Sequence, residues 1–78
     1  MKLHERIEVN PEIMFGNPII KSTSITVEHI LRKLGGGMTP DEIIKDHPHL
    51  KKEDIFAAEE FAADYLAREE VVFFNKRP

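Results

Sequence analysis

The sequence predicts a mainly α fold, in which a three-helix core containing a helix-turn-helix follows short β-strands and precedes an apolar C-terminal extension. A capped helix, a proline-containing turn and a longer helical repeat follow one another within residues 39–66. Upstream, residues 19–25 are rich in the β-branched side chains that favour strands. Downstream, four large apolar residues follow one another at positions 71–74.

The composition indicates a single small globular domain. Of its 78 residues, 41% are hydrophobic and 32% are charged, and the absence of cysteine excludes disulfides and thiolate metal sites. Strands and turns are predicted in 1–25, three helices in 26–70 and the extension in 71–78. No signal-peptide core and no apolar run of roughly 20 residues is present, so the cytoplasm is the expected location.

The N-terminal third contains two predicted strands. Residues 7–9 alternate apolar and polar side chains, and residues 19–25 form the second strand, with Ile19, Thr23 and Ile25 on one face. Between the two strands, residues 13–15 are expected to form an apolar turn packed on the core. Two strands alone are marginally stable, so a helix layer or a second subunit must cover them.

The first two helices have clear boundary signals. Thr26 is a good N-cap for the first helix, and three glycines from position 35 end it. These glycines precede no Lys-Ser/Thr pair and end a helix, so a phosphate-binding loop is not predicted there. In the second helix, Thr39 and Glu42 form a capping box, and the helix ends near Asp46. The predicted inward residues of these helices are Val27, Ile30, Leu31, Leu34, Ile43 and Ile44.

The third helix is predicted from Lys52 to Arg68 or beyond. Lys51 caps poorly, but the acidic Glu53 and Asp54 are favourable in a first turn. The residues expected in the core at helical spacing are Ile55, Ala58, Phe61, Ala62, Tyr65 and Leu66. The apolar run at 71–74 either packs back as an edge strand or docks on another chain, because so small a domain has limited core volume.

Charge is distributed unevenly along the chain, whose net charge is −3. Residues 1–34 carry five Lys/Arg against four Asp/Glu, whereas residues 51–70 carry three against seven. Free-standing DNA-binding domains usually present a basic face, since phosphate contacts supply much of their affinity. The acidic third helix therefore favours a basic protein partner over DNA.

Side chains suited to catalysis or metal binding form no convincing group. His47 and His49 flank Pro48, but the sequence offers no further ligands close by, so a turn is expected rather than a metal site. Ser22, Thr23 and Ser24 have no recognisable activating base and suit phosphate or backbone contacts at most. No catalytic residue, cofactor or metal is predicted, and the protein is not expected to be an enzyme.

An ordered series of motifs resembles the small prokaryotic family known as domain of unknown function 433 (DUF433). The resemblance covers roughly residues 6–70. It includes the stretches at 10–13, 16–21, 25–31, 37–44, 46–50 and 53–58. The family usually has Gly-Thr-Arg where this chain has Ser22, Thr23 and Ser24, so no role of that arginine carries over to Ser24.

The resemblance implies a homeodomain-like fold and an antitoxin, in some members VapB-type, paired with a PIN-like nuclease toxin. Our leading hypothesis is neutralisation of such a nuclease by occlusion, through the acidic third helix and apolar anchors in the extension. The predicted toxin-binding residues are Glu59, Glu60, Glu69, Glu70, Val71, Val72, Phe73 and Phe74. The alternatives are a dimeric DNA-binding autoregulator and a non-catalytic homodimeric scaffold. The predicted DNA-binding residues are Lys21, Ser22, Thr23, Lys33, Lys51 and Lys52.

Overall fold

Three helices pack against a two-stranded antiparallel sheet, which confirms the predicted mainly α fold with short strands at its start. A computed structural model of the chain describes residues 5–75, with side chains described through residue 67. The strands are β1 (Ile7–Glu8) and β2 (Ile19–Ile20), and the helices are α1 (Val27–Gly35), α2 (Pro40–Asp46) and α3 (Lys52–Asn75). In the sheet, Ile7 pairs with Ile20 and Glu8 with Ile19.

The core is built around isoleucines contributed by different elements. Ile19 in β2, Ile30 in α1, Ile43 in α2 and Ile55 in α3 are all completely buried. Both strands, through Ile7 and Ile20, join the isoleucines of the three helices in one cluster, so the small sheet gains the helix layer that it needs for stability. The other buried apolar residues of this core are Ile7, Ile20, Val27, Leu50, Ala57, Ala58 and Phe61.

The helix boundaries follow local hydrogen bonds that the sequence predicts. The Thr26 hydroxyl accepts from the His29 amide at 3.0 Å and caps α1. At α2, the Glu42 amide donates to the Thr39 hydroxyl at 3.2 Å, while the Glu42 carboxylate accepts from the Thr39 amide at 2.8 Å. Both halves of the predicted capping box are thus formed. Gly37, with φ of +103°, lies just beyond the end of α1, as a left-handed C-terminal glycine should.

The second strand is much shorter than predicted. It ends at Ile20, because the chain then turns through Ser22, whose φ is +69°. The Thr23 hydroxyl donates to the Ile20 carbonyl at 2.7 Å and accepts from the Ile25 amide at 3.0 Å. After the turn, the Ile20 amide donates to the Ile25 carbonyl at 2.9 Å. The β-branched run therefore forms a tight turn and not a continuous strand. The Thr23 side chain stabilises this turn by hydrogen bonds to backbone groups that a strand would otherwise pair.

The predicted packing of residues 13–15 on the core is wrong. Met14 and Phe15 adopt φ values of +51° and +58°, and Phe15 lies in the short 3₁₀ segment Met14–Gly16. This conformation turns the apolar side chains outward, so Phe15 is 95% exposed and Met14 is 43% exposed.

The third helix continues well beyond the part of it that is buried in the core. It continues through Asn75, so the edge-strand alternative for residues 71–74 is wrong. Ile55, Ala58 and Phe61 are buried as predicted, but Tyr65 and Leu66 are 49% and 55% exposed. Their predicted burial is wrong because the elements that cover the first half of α3 do not extend along the second half. None of the described helices combines the length and the apolar character that a membrane span needs.

Candidate functional site

The first candidate surface is an open polar pocket of about 480 Å³ at the N-terminal end of α3. Arg6, Lys21 and Ser22 line it together with Asp54 and Glu5. The turn after β2 brings Lys21 beside the first strand, where its amide donates to the Arg6 carbonyl at 2.8 Å. Two of the predicted DNA-binding residues, the adjacent Lys21 and Ser22, are thus placed beside Arg6 and the start of α3.

A buried carboxylate organises this pocket. Asp54 is 7% exposed, and one of its oxygens accepts from the Arg6 guanidinium at 3.0 Å. Its second oxygen accepts from the Lys51 backbone amide at 2.9 Å. Asp54 therefore caps α3 from the third helical position, which explains how a helix begins after a lysine. The sequence contained a signal for the capping role, namely a carboxylate three residues after a poor N-cap. It contained no signal for the pairing with Arg6, which lies 48 residues away in the chain.

The remaining predicted DNA-binding residues have different surroundings. The Lys52 ammonium lies 3.3 Å from the Asp41 carboxylate, in an exposed pair. Lys33 lies in the last turn of α1 and does not line the polar pocket. Thr23 holds the turn after β2, so its hydroxyl hydrogen is already donated to the backbone.

The second candidate surface is the exposed side of α3 from Glu59 to the C-terminal end of the helix. Glu59 and Glu60 are exposed at its start. The predicted toxin-binding residues Glu69, Glu70, Val71, Val72, Phe73 and Phe74 also belong to α3, and their side chains lie outside the described residues. At about 1.5 Å per residue, Lys52 and Glu70 are about 27 Å apart along the helix axis. Lys52 at the start of α3 is therefore well separated from Glu69 and Glu70 near its C-terminal end.

A third surface, which the sequence did not predict, is an apolar groove of about 510 Å³. It lies between the chain after β1, the start of α1 and the middle of α3. The apolar side chains lining it are Val9, Pro18, Val27, Leu31, Phe61 and Tyr65. The helical repeat in α3 identified Tyr65 as an inward residue but could not show that the space in front of it is open.

The rings of His29, His47 and His49 lie close together near the turn before α3. The His29 and His47 rings pack edge to face with centroids 5.6 Å apart, and the His47 and His49 rings are 6.4 Å apart. Within the described part of the chain, no three His, Cys, Asp or Glu side chains are grouped so that they could hold a metal ion.

Comparison with known proteins identifies one family. The model of the family described as "Protein of unknown function (DUF433)" matches residues 7–62, which include both strands, α1, α2 and the buried first half of α3. Neither a curated protein nor a solved structure matches the chain. The match covers well over half of the 78 residues and agrees with the motifs identified in the sequence. The chain therefore belongs to the DUF433 family.

Proposed function

We propose that this chain is a cytoplasmic, antitoxin-like regulator that binds and neutralises a PIN-like nuclease by occluding its substrate cleft. The observation that supports the proposal is the length of α3. The core buries this helix only as far as Phe61, and the helix extends beyond it. Fourteen further helical residues then follow, up to Asn75. A helix that projects from a small body in this way presents a long surface to a partner.

The chemistry of the exposed side of α3 from Glu59 onward suits a nuclease. Acidic side chains at Glu59, Glu60, Glu69 and Glu70 match the basic residues with which a nuclease must hold an anionic substrate. Exposed Tyr65 and the apolar run at 71–74 supply the large side chains that dominate interface energies. The acidic residues would attract this helix to the basic cleft, and the apolar side chains would anchor it there, so that substrate could not enter.

Truncation after Glu70 is expected to abolish nuclease neutralisation and leave the folded body intact. The truncation removes residues 71–78, whereas the described core ends at Phe61, so the unfolding free energy should change by less than about 0.5 kcal/mol. The test is co-purification with the neighbouring gene product and inhibition of its nuclease activity. The matched control removes residues 76–78 and keeps α3 to its end. Full neutralisation by the chain truncated after Glu70 would show that the extension is not the anchor.

A second candidate function is operator binding by a helix-turn-helix formed by α2, residues 47–51 and α3. The polar pocket favours it, because Lys21, Ser22 and Arg6 converge at the first turn of α3. In a helix-turn-helix, the start of the second helix contacts the major groove while flanking cations hold phosphates.

Operator binding predicts a steep dependence of affinity on salt. Lys21→Ala should reduce the slope of log K against log salt by about 1, because it removes a phosphate contact from the polar pocket. Lys33→Ala serves as the matched control, since Lys33 lies outside the pocket and its loss should leave the slope unchanged. Fluorescence anisotropy with the promoter of the protein's own operon measures the slopes. Equal slopes for both variants would exclude the polar pocket as a DNA-binding surface.

A further inference from the structure

The segment before β2 presents an aromatic side chain to solvent at a cost in free energy. Phe15 is 95% exposed and has a left-handed backbone, with φ of 58° and ψ of 30°. Met14 before it and Gly16 after it also have positive φ values, of 51° and 81°. Left-handed conformations are unfavourable for residues with a Cβ atom, so the surrounding structure must hold them in place.

Backbone hydrogen bonds hold this conformation. The Gly16 amide donates to the Ile13 carbonyl, and the Asn17 amide donates to the Met14 carbonyl, both at 3.1 Å. The segment begins at Asn10, whose carbonyl accepts from the Ile13 amide at 2.9 Å. Phe15 is therefore a protruding ring on a fixed backbone, which loses little entropy when a partner covers it.

The apolar groove adjoins the segment that carries this ring. Gly16, the residue directly after Phe15, lines the groove together with Pro18 and Val27. Because Phe15 is almost fully exposed, its ring does not fill the groove of its own chain. The backbone that presents the protruding ring is therefore continuous with the wall of the groove.

We propose that this face binds a second copy of the chain, with Phe15 of each copy inserted in the apolar groove of the other. A two-fold symmetric interface requires one surface patch to be complementary to itself, and an adjacent protrusion and cavity meet this requirement. The groove, at about 510 Å³, is large enough for a phenyl ring. This inference does not depend on the proposed nuclease or DNA partner.

The electrostatics of the face allow a copy of the same chain to approach. Glu28 is the charged residue in the groove lining, and its carboxylate pairs with the Arg32 guanidinium at 2.9 Å. Self-association through the acidic surface of Glu59 and Glu60 would instead bring like charges together. A nearly neutral apolar face therefore favours a second copy, whereas a strongly basic partner would gain little from it.

Exposed apolar side chains are available for an interface of this kind. Most of the large apolar side chains exposed in the described part of the chain belong to this segment, the groove or the helix turn beside it: Val9, Met14, Phe15, Tyr65 and Leu66. A standard interface covers about 800 Å² per partner, roughly a seventh of the accessible surface of 5719 Å². Dimerisation through this face would remove the apolar surface of these side chains from water.

Phe15→Ala is expected to weaken self-association at least about 30-fold, as measured by sedimentation equilibrium over a wide range of concentrations. The matched control is Phe56→Ala, which removes a phenylalanine that is 53% exposed in α3 and does not line the groove. This control should dimerise like the parent chain. Far-UV circular dichroism should show both variants folded, since neither side chain is buried.

Mixing two defective variants tests the reciprocal geometry directly. Val9→Lys places a charge at the groove and keeps Phe15, whereas Phe15→Ala keeps the groove and removes the ring. Each variant alone should be monomeric at concentrations where the parent chain is a dimer. Their mixture should form heterodimers, because one copy provides an intact ring and the other an intact groove. The sole tyrosine, Tyr65, lines the groove and reports contact there through reduced quenching of its fluorescence.

Three results would overturn the inference. A parent chain that remains monomeric at about 1 mM would show that this face does not bind a copy. A dimer with equal sensitivity to Phe15→Ala and Phe56→Ala would be formed through another surface. Failure of the mixed variants to associate, while the parent chain dimerises, would exclude reciprocal insertion. None of these results depends on nuclease or DNA binding.

Discussion

Ile43→Ala is expected to destabilise the protein by about 3 to 4 kcal/mol. Ile43 is completely buried in α2, so its truncation removes apolar contacts and leaves a cavity that the surrounding helices can fill only partly. A domain of 78 residues has a total stability of about 4 to 12 kcal/mol, so the loss is a large fraction of the whole. The midpoint of thermal unfolding should fall by roughly 20 °C.

The neighbouring isoleucine provides the matched control. Ile44 belongs to the same helix and carries the same side chain, but it is half-buried at the edge of the core. Ile44→Ala should cost about 1 to 2 kcal/mol, and the conservative Ile43→Val about 1 kcal/mol. Urea unfolding followed by circular dichroism gives the three free energies. If Ile43→Ala and Ile44→Ala cost the same, α2 is not packed with Ile43 at the centre of the core.

Asp54→Ala is expected to have the next largest effect, about 2 to 3 kcal/mol. The substitution removes the cap from the Lys51 amide and the ionic partner of Arg6, each a hydrogen bond of 2.9 to 3.0 Å to a buried carboxylate. The Arg6 side chain is 41% exposed, so water can still solvate its charge, and the cost stays below that of breaking a fully buried pair.

Glu53→Ala is the matched control for the loss of charge. Glu53 is an exposed acidic residue in the same first turn of α3. Its removal therefore also takes one negative charge away from the N-terminal end of the helix dipole. Its cost should be about 0.5 kcal/mol or less. Thermal unfolding at neutral pH, and again at high salt, separates the two variants. An Asp54→Ala variant as stable as Glu53→Ala would show that the buried carboxylate contributes little to stability.

Signals within a few residues predicted most of the helical structure. The Thr26 cap, the Thr39 capping box and the glycines after α1 each use side chains close to the groups that they satisfy. For this reason the bounds of α2 and the start of α3 agree with their predictions. The family resemblance is confirmed by the family match over residues 7–62.

Local signals failed where burial depends on elements distant in sequence. The β-branched residues 19–25 have strand propensity, yet the Thr23 hydroxyl competes for the backbone and turns the chain after Ile20. Tyr65 and Leu66 fit the helical repeat of the core, but their burial requires a neighbouring element that the fold does not place there. Helical periodicity identifies a face and does not identify what covers it.

The same distinction between local signals and contacts of distant elements applies to the candidate sites. The sequence by itself determined the family, the three helices with their caps, and the acidic character of α3, because these properties belong to single residues or short segments. The tertiary structure alone decided the pairing of Arg6 with Asp54, the convergence of Lys21 on the same pocket, and the formation of an open groove that Gly16, next to Phe15, helps to line. These features join residues far apart in the chain, and their distances are set by how the isoleucine core packs the helices against the sheet.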